Sequence, residues 1–296
     1  MANLKEIRTR ISSVTSTRQI TSAMKMVAAA KLRKAQDAII KLRPYAEKLS
    51  EILVTIGDSL RQDEENLFVK EREVEKVLIV VITSNKGLCG AFNSSVIKKA
   101  NSLANVEYGR QKANDNLDLL IIGKKATDHF KKRNYKILKS RDDIYDDLSF
   151  ENISELANEI IKRFLNNEYQ RVELVYNQFI NAAVQKLQVE RYLPLKIEKP
   201  AEHPILETFY DYIFEPSKEY IVEELIPRNL KLQLFKAILD SNASEHGARM
   251  TAMHKATENA TELLKELKLD YNKARQASIT NEILEIVSGA NALEDS

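Results

Sequence analysis

The first sixty residues carry the strongest periodic signal in the chain. Stepping alternately by three and four from Leu4 gives Leu4, Ile7, Ile11, Val14, Arg18, Thr21, Lys25, Ala28, Leu32, Ala35, Ile39, Leu42, Ala46, Leu49, Leu53, Ile56 and Leu60. Fourteen of these seventeen positions are apolar and they keep one heptad phase, the signature of a coiled-coil seam. The three exceptions, Arg18, Thr21 and Lys25, are consecutive, so the seam faces something other than a simple apolar partner there. Pro44 lies inside the pattern and predicts a kink or a loosened turn.

A second seam lies at the other end. Ala260, Leu264, Leu267, Tyr271 and Ala274 repeat at 4-3-4-3 spacing, and after a slip of one residue Ile279, Ile283, Ile286, Ala290 and Leu293 continue it. Leu284 and Val287 add apolar surface on another side, a pattern that belongs to a helix covered on several sides. Between the seams the periodicity changes. Val77–Ile82, Leu117–Ile122, Tyr135–Leu138, Val172–Ile180 and Val184–Val189 read as strands, and 91–104, 124–133 and 151–166 as helices. That alternation predicts a mostly parallel α/β sheet. The segments near Gln62–Arg72 and Pro194–Pro204 read as connectors. The domain plan is therefore a helix over 1–60, an α/β domain over 75–215 and a helix over 225–296.

Both arms attach to the same middle domain, so if they pair they run antiparallel. At 1.5 Å per residue the first arm spans roughly 85 Å and the second roughly 100 Å. The C-terminal end, apolar all round, then overhangs its partner and needs a socket in another molecule.

Composition agrees with long helices. Of 296 residues only seven are glycine and six proline. No apolar run reaches the roughly 20 residues that span a bilayer. The N-terminus carries charge from its fifth residue and lacks a signal core, and one cysteine, Cys89, makes no internal disulfide, so the chain reads as cytosolic. The net charge of +2 hides an uneven distribution. Residues 1–43 hold ten Lys or Arg against Glu6 and Asp37, a net of +8. A basic arm of this kind meets nucleic acid, anionic lipid or an acidic protein surface, or is simply a solvated face.

Candidate chemistry is thin. "SNKGLCG" (84–90) follows a strand and precedes a helix, the order in which many folds cradle a phosphate. Its spacing is neither G-x-x-x-x-G-K-[ST] nor G-x-G-x-x-G, so Gly87 and Gly90 read as a structural turn, serving positive φ and close strand–helix packing. Cys89 reads as a packed side chain. His129, His203, His246 and His254 form no metal spacing, and no acidic pair stands out. The polar residues that attract notice sit on the arms: Met24 and Lys25 at the seam break, and Arg275, Gln276, Thr280 and Glu282 beside the apolar end.

At those segments the chain resembles a family. "IRTRISSVTSTRQITSAMKMVAAAKLRKAQ", "SNKGLCGAFN" and "SEHGARMTAMHKATENA…YNKARQASITNEILEIVSGANAL" are similar to the gamma subunits of F-type ATP synthases. The resemblance implies a Rossmann-like, mostly parallel α/β domain flanked by long N- and C-terminal helices that form an antiparallel coiled coil. It also implies a rotor shaft, one copy per complex, inside a ring of three alpha and three beta subunits, with the foot on the epsilon subunit and the membrane c ring. Ion flow turns the shaft, and ATP is made in the beta subunits. No catalytic, cofactor or metal site is then expected here, and the chain belongs on the cytoplasmic face of a bacterial inner membrane, held there through the complex. Contacts with the alpha/beta ring fall on Met24, Lys25, Arg249, Arg275, Gln276, Thr280 and Glu282. The apolar bearing falls on Ile279, Ile283, Leu284, Ile286 and Val287. A single cysteine excludes the dithiol regulation of chloroplast-type relatives. Two other classes compete on residues alone: a basic coiled-coil scaffold binding nucleic acid through 8–43, and an enzyme using the 84–90 loop. The first lacks interleaved aromatics and has no use for an apolar tip.

Overall fold

The computed structural model describes residues 4–62, 67–195 and 218–294. A helix, α1 (Leu4–Gln62), opens the chain. The middle then runs β1 (Val77–Ile82), α2 (Phe92–Ser102), a π-helical turn at Leu103–Glu107, α3 (Gly109–Ala113), β2 (Leu117–Ile122) and α4 (Lys124–Lys131). It continues with β3 (Ile137–Ser140), α5 (Phe150–Leu165), β4 (Arg171–Phe179) and β5 (Gln185–Leu193), and a second long helix, α6 (Lys218–Glu294), closes the chain.

The five strands form one sheet in the order β3-β2-β1-β4-β5. The first four are parallel, and β5 returns antiparallel along β4. The central strands explain the parallel core. In β1, "VLIVVI", every residue is buried, as a strand covered on both faces requires. In β2 the acidic Asp118 interrupts the apolar run at the amino edge of the sheet. The Tyr169 hydroxyl donates to its Oδ2 at 2.7 Å, and the Lys76 and Lys136 ammoniums stand 3.3 and 3.5 Å from its carboxylate oxygens. A buried acid with that company has its charge matched on the spot.

Three layers result. On one face α5 and the first turns of α6 bury Ile153, Leu156, Ile160, Phe164, Ile226, Leu230 and Leu234 against Leu78, Val80 and Leu174. On the other, α2 and α4 bury Val96, Ala100 and Phe130 against Ile79, Val81 and Ile121. The apolar steps 226, 230, 234, 237 are one stripe of a helix, which is why α6 lies on the sheet along that edge.

Compact packing divides the molecule into two units, residues 29–248 and the helix ends 1–28 with 249–296. The α/β layers thus form one body with the adjoining stretches of both long helices. Helix α1 continues through Pro44, and α6 begins at Lys218, ahead of the expected start at 225, and continues through Pro227. Proline removes one donor and crowds one carbonyl, a cost that packing can override. Residues 196–204 of the second connector and 63–66 of the first lie outside the described residues.

Candidate functional site

The glycine loop 84–90 supplies acceptors to a neighbouring helix. At the start of α4, the amide of Lys124 donates to Asn85 Oδ1 at 3.0 Å, that of Lys125 to the carbonyl of Ser84 at 3.1 Å, and that of Ala126 to Thr83 Oγ1 at 3.1 Å. The first turn of α4 is thus capped by the loop. Asn93 reaches back from α2: its Oδ1 accepts from the Ser84 amide at 3.0 Å and its Nδ2 donates to Cys89 Sγ at 3.2 Å. Cys89 is buried, as a packing residue would be.

Which glycine matters is also corrected. Gly90 takes φ +58°, but Gly87 does not take positive φ; Leu88, at +62°, does. A Cβ on Gly87 would meet only Lys125 Cε at 3.7 Å, ordinary van der Waals contact. The tight position is Gly123, at φ +103°, where a Cβ would collide with the carbonyl oxygen of Thr83. That glycine lets β2 turn into α4 directly against the end of β1.

In open α/β sheets ligands enter the crevice beyond the strand ends where the order reverses, here between β1 and β4. In this chain α6 and its neighbours fill it. The Tyr145 hydroxyl donates to the Thr83 carbonyl at 2.7 Å, and its phenol is pushed upward by burial and by Glu245 of α6. Ser244 Oγ donates to the Asn177 carbonyl at 3.0 Å, and Asn177 Nδ2 donates to the carbonyl of Phe92 at 3.0 Å. Gly247 passes the β4–β5 turn so closely that a Cβ would lie 3.1 Å from the Ala182 carbonyl oxygen. A long helix stands where a nucleotide would.

The ionisable groups show burial rather than a reacting constellation. Asp240, 5 % exposed on α6, is pushed up to about 6 by burial; Lys236 and Arg43 oppose the shift and Glu190 adds to it. Glu190 itself accepts from the Tyr176 hydroxyl at 2.8 Å and from Gln233 at 2.6 Å. The Glu173 carboxyl is raised by burial, although it accepts from the Tyr108 hydroxyl at 2.9 Å. His129 is lowered by burial and by Arg133, and His254 lies 3.5 Å from Glu258. Among the described residues no group of His, Cys, Asp and Glu could hold a metal ion.

The long helices carry the rest of the expected site. The seam on α1 is where the pattern put it: Ile7, Thr21, Ala28, Leu32, Ala35 and Leu49 are buried, and the remaining described positions are half-buried. The side chains of Leu53, Ile56 and Leu60 lie outside the described residues. The polar break resolves into a bond, since Thr257 Oγ1 of α6 donates to Thr21 Oγ1 at 2.9 Å while also reaching the carbonyl of Met253 at 2.8 Å. A hydroxyl pair in an apolar seam favours one register. Of the ten basic residues in 1–43 only Arg18 and Lys25 are half-buried; the others are exposed.

With Thr21 level with Thr257 in an antiparallel pair, α1 begins at Leu4 about level with Ala274. Burial on α6 follows that geometry. Ala260, Leu264 and Leu267 are buried, Tyr271, Ala274 and Ser278 are half-buried, and from Ile279 to Ser288 every residue is exposed. The seam thus continues to Ser278 rather than slipping to Ile279. Ile279, Ile283, Leu284, Ile286 and Val287 project from a helix that has run past its partner, Ile286 at 71 %.

The expected contact residues fall into two groups. Met24 and Lys25, half-buried, lie near the Thr21–Thr257 level, as does Arg249. Arg249 is only 9 % exposed, so most of its surface is already used within the chain. Arg275, Gln276, Thr280 and Glu282 are exposed and share the far end of α6, where Glu282 accepts from Ser278 at 3.3 Å and Thr280 Oγ1 donates to the Gln276 carbonyl at 2.9 Å. Roughly 35 Å of helix separates the groups. Sequence reasoning missed Gly123 and the Asn177–Ser244 bond.

Comparison with known proteins agrees with this arrangement. The family model described as ATP synthase matches residues 3–293. The ATP synthase gamma chain of Christiangramia forsetii is 59% identical over 293 residues, 99% of either chain, and that of Flavobacterium johnsoniae 57% over 293 residues, again 99% of each. Among solved structures, a chain of the Tetrahymena thermophila mitochondrial ATP synthase central stalk and c ring is 26% identical, with a TM-score of 0.57 over 80% of this chain and 99% of that one. A chain of the Euglena gracilis mitochondrial ATP synthase, 22% identical, shares the fold with a TM-score of 0.66 over 98% of this chain and 94% of that one. Two paired helices with an uncovered apolar end, an α/β body whose switch point is filled by one of them, and identity along the whole length make this chain a member of the ATP synthase gamma-chain family.

Proposed function

We propose that this chain is the shaft of an F-type ATP synthase rotor, coupling ion-driven rotation of a membrane c ring to ATP synthesis or hydrolysis in an alpha/beta ring. The observation that carries the reading is the helix end Ile279–Val287, apolar on more than one side and exposed where α6 outruns α1. An exposed apolar surface of that kind requires cover from another molecule. A ring of three alpha and three beta subunits supplies it as a sleeve in which the tip turns. The chain contributes no reacting groups; nucleotide chemistry belongs to the beta subunits. Its contribution is a coupling free energy, in which each orientation of an asymmetric shaft favours one beta conformation over the others.

Two sets of side chains make the contacts in this reading. Met24, Lys25 and Arg249 act at one level, Arg275, Gln276, Thr280 and Glu282 near the tip, and the exposed cations of α1 face acidic loops of the ring. The epsilon subunit and the c ring meet the α/β body, one copy of the chain serves each complex, and no nucleic acid is bound. Among the described residues no helix is long and apolar enough to cross a membrane, so the membrane is reached through the c ring, on the cytoplasmic side in a bacterium.

The test is reconstitution. The chain is combined with alpha, beta, epsilon and a membrane sector in vesicles, and ATP-driven proton pumping is compared with ATP hydrolysis. Wild type pumps. Replacing Arg275 and Gln276 by Ala lowers protons moved per ATP while the α/β body keeps its fold. Unchanged pumping in that variant removes these contacts from the account, and a wild-type chain that does not enter the ring removes the whole reading.

A further inference from the structure

Helix α6 crosses one face of the sheet from the amino to the carboxyl ends of the parallel strands. At its start the Tyr192 hydroxyl donates to the Leu230 carbonyl at 2.9 Å, beside Leu193, which pairs with Val172 at the beginning of β4. Along the middle the contact is mostly apolar, through Ile226, Leu230, Leu234, Ala237 and Ile238, with one directional bond at its rim, from Gln233 Nε2 to Glu190 Oε1 of β5 at 2.6 Å. Apolar contact is non-directional: it resists separation of a helix from a sheet far better than it resists rolling. Directional restraint returns at the carboxyl end. There Ser244 Oγ bonds the Asn177 carbonyl at 3.0 Å, and Gly247 lies against Ala182 in the β4–β5 turn. Ser244 and Asn177 are both buried, so water does not replace that bond when it breaks.

Asn177 also faces the other way. Its side-chain amide donates to the carbonyl of Phe92 at 3.0 Å, at the start of α2 on the opposite layer. One residue of β4 therefore ties α6, the sheet and α2 into a single rigid joint.

We propose that this joint, Asn177 with the β4–β5 turn, is where twisting force passes between the α/β layers and the shaft helix, Ser244 and Gly247 being the positions on α6 that receive it. The proposal rests on the rotor reading above. Asn177 and Ser244 act as positioning residues, fixing the rotational setting of α6 against the sheet. Ser244→Ala removes the directional bond at the carboxyl end and leaves the apolar contact and the Gln233–Glu190 and Tyr192–Leu230 bonds, so the joint becomes softer in twist there while the layers stay packed.

The experiment uses the complete complex with the alpha/beta ring fixed to a surface, a bead on the c ring, and rotation halted by a non-hydrolysable ATP analogue. The variance of the bead's angle reports torsional compliance. Ser244→Ala raises that variance by about twofold, and Ser244→Thr, which keeps the hydroxyl, restores it. Gly247→Ala provides a second arm should the first variant fail to assemble. It favours the helix intrinsically yet forces the Ala182 turn to give by a few tenths of an ångström, so compliance rises without loss of helix. Unchanged variance in both variants, with only a lower melting temperature, overturns the proposal. A wild-type chain that never joins the ring overturns the rotor reading, and this proposal with it, before any variant is compared.

Discussion

The α/β layers and the far ends of the long helices bury their apolar residues in opposite ways. In the layers every residue of β1 is buried, and two apolar clusters cover both faces of the sheet. At the helix ends burial is a single stripe that stops at Ser278, beyond which five large apolar side chains stand exposed. The first region is stabilised by its own packing; in the proposed function the second is completed by a partner. Substitutions should therefore act through folding in one region and through assembly in the other.

The sharpest contrast is between two glycines. Gly123→Val places a branched side chain at φ +103° against the Thr83 carbonyl, and should cost about 3 kcal/mol or more of unfolding free energy in denaturant titration. Gly87→Ala, with nothing closer than 3.7 Å, should stay within about 0.5 kcal/mol of wild type. A severe Gly87 defect would return the loop to the list of functional elements.

A second pair sets core against tip. Ile160→Ala empties a fully buried site in the α/β layers and should cost roughly 3 kcal/mol. Ile286→Ala should leave the unfolding of the isolated chain within about 0.5 kcal/mol and instead weaken binding to the alpha/beta ring, read by titration of labelled chain. Equal effects of the two on folding would erase the distinction.

The buried acid Asp240 tests the layers by pH. Its folded value, about 6, lies above its ordinary value of 3.8. As pH rises from about 4 to 6 the unfolded chain gives up this proton first, so stability falls across that window and is flat above it. Asp240→Asn should remove that part of the slope and stabilise the chain at pH 7 by about 2 kcal/mol. An unchanged melting profile between pH 4 and 7 would show that Asp240 is ionised in the folded state.

The smallest effect concerns the hydroxyl pair. Thr21→Val removes the cross-helix bond but leaves the Thr257 hydroxyl on the Met253 carbonyl, so it should cost no more than about 0.5 kcal/mol of unfolding free energy. A loss well above that would mean that the pair contributes stability as well as register.

Much of this arrangement was legible in the sequence because it rests on periodicity. The heptad phase from Leu4 identified the seam on α1, including its polar interruption, and strand runs such as Val77–Ile82 and Leu117–Ile122 match β1 and β2 residue for residue. The apolar tip was visible as a second greasy stripe. Less legible were features that depend on small residues. The stretch of α6 from Ser241 to Gly247 is buried almost all round, yet its buried side chains include Ser241, Ala243, Ser244 and Gly247, which no hydropathy pattern marks as core. Small side chains let a helix approach a sheet closely, and that closeness fills the crevice where chemistry was sought. Gly123 was hidden for a related reason, since only the neighbouring carbonyl of Thr83, forty residues away in sequence, makes its missing Cβ matter. The proposed contact residues Met24, Lys25, Arg249, Arg275, Gln276, Thr280 and Glu282 came from the family resemblance and not from any periodic signal.

The central claim is that this chain turns. With the alpha/beta ring fixed to a surface and a bead attached to an exposed position of the α/β body, such as Lys132, adding ATP should drive continuous rotation in one direction. A complex that assembles and hydrolyses ATP while the bead only fluctuates about one angle would contradict the account.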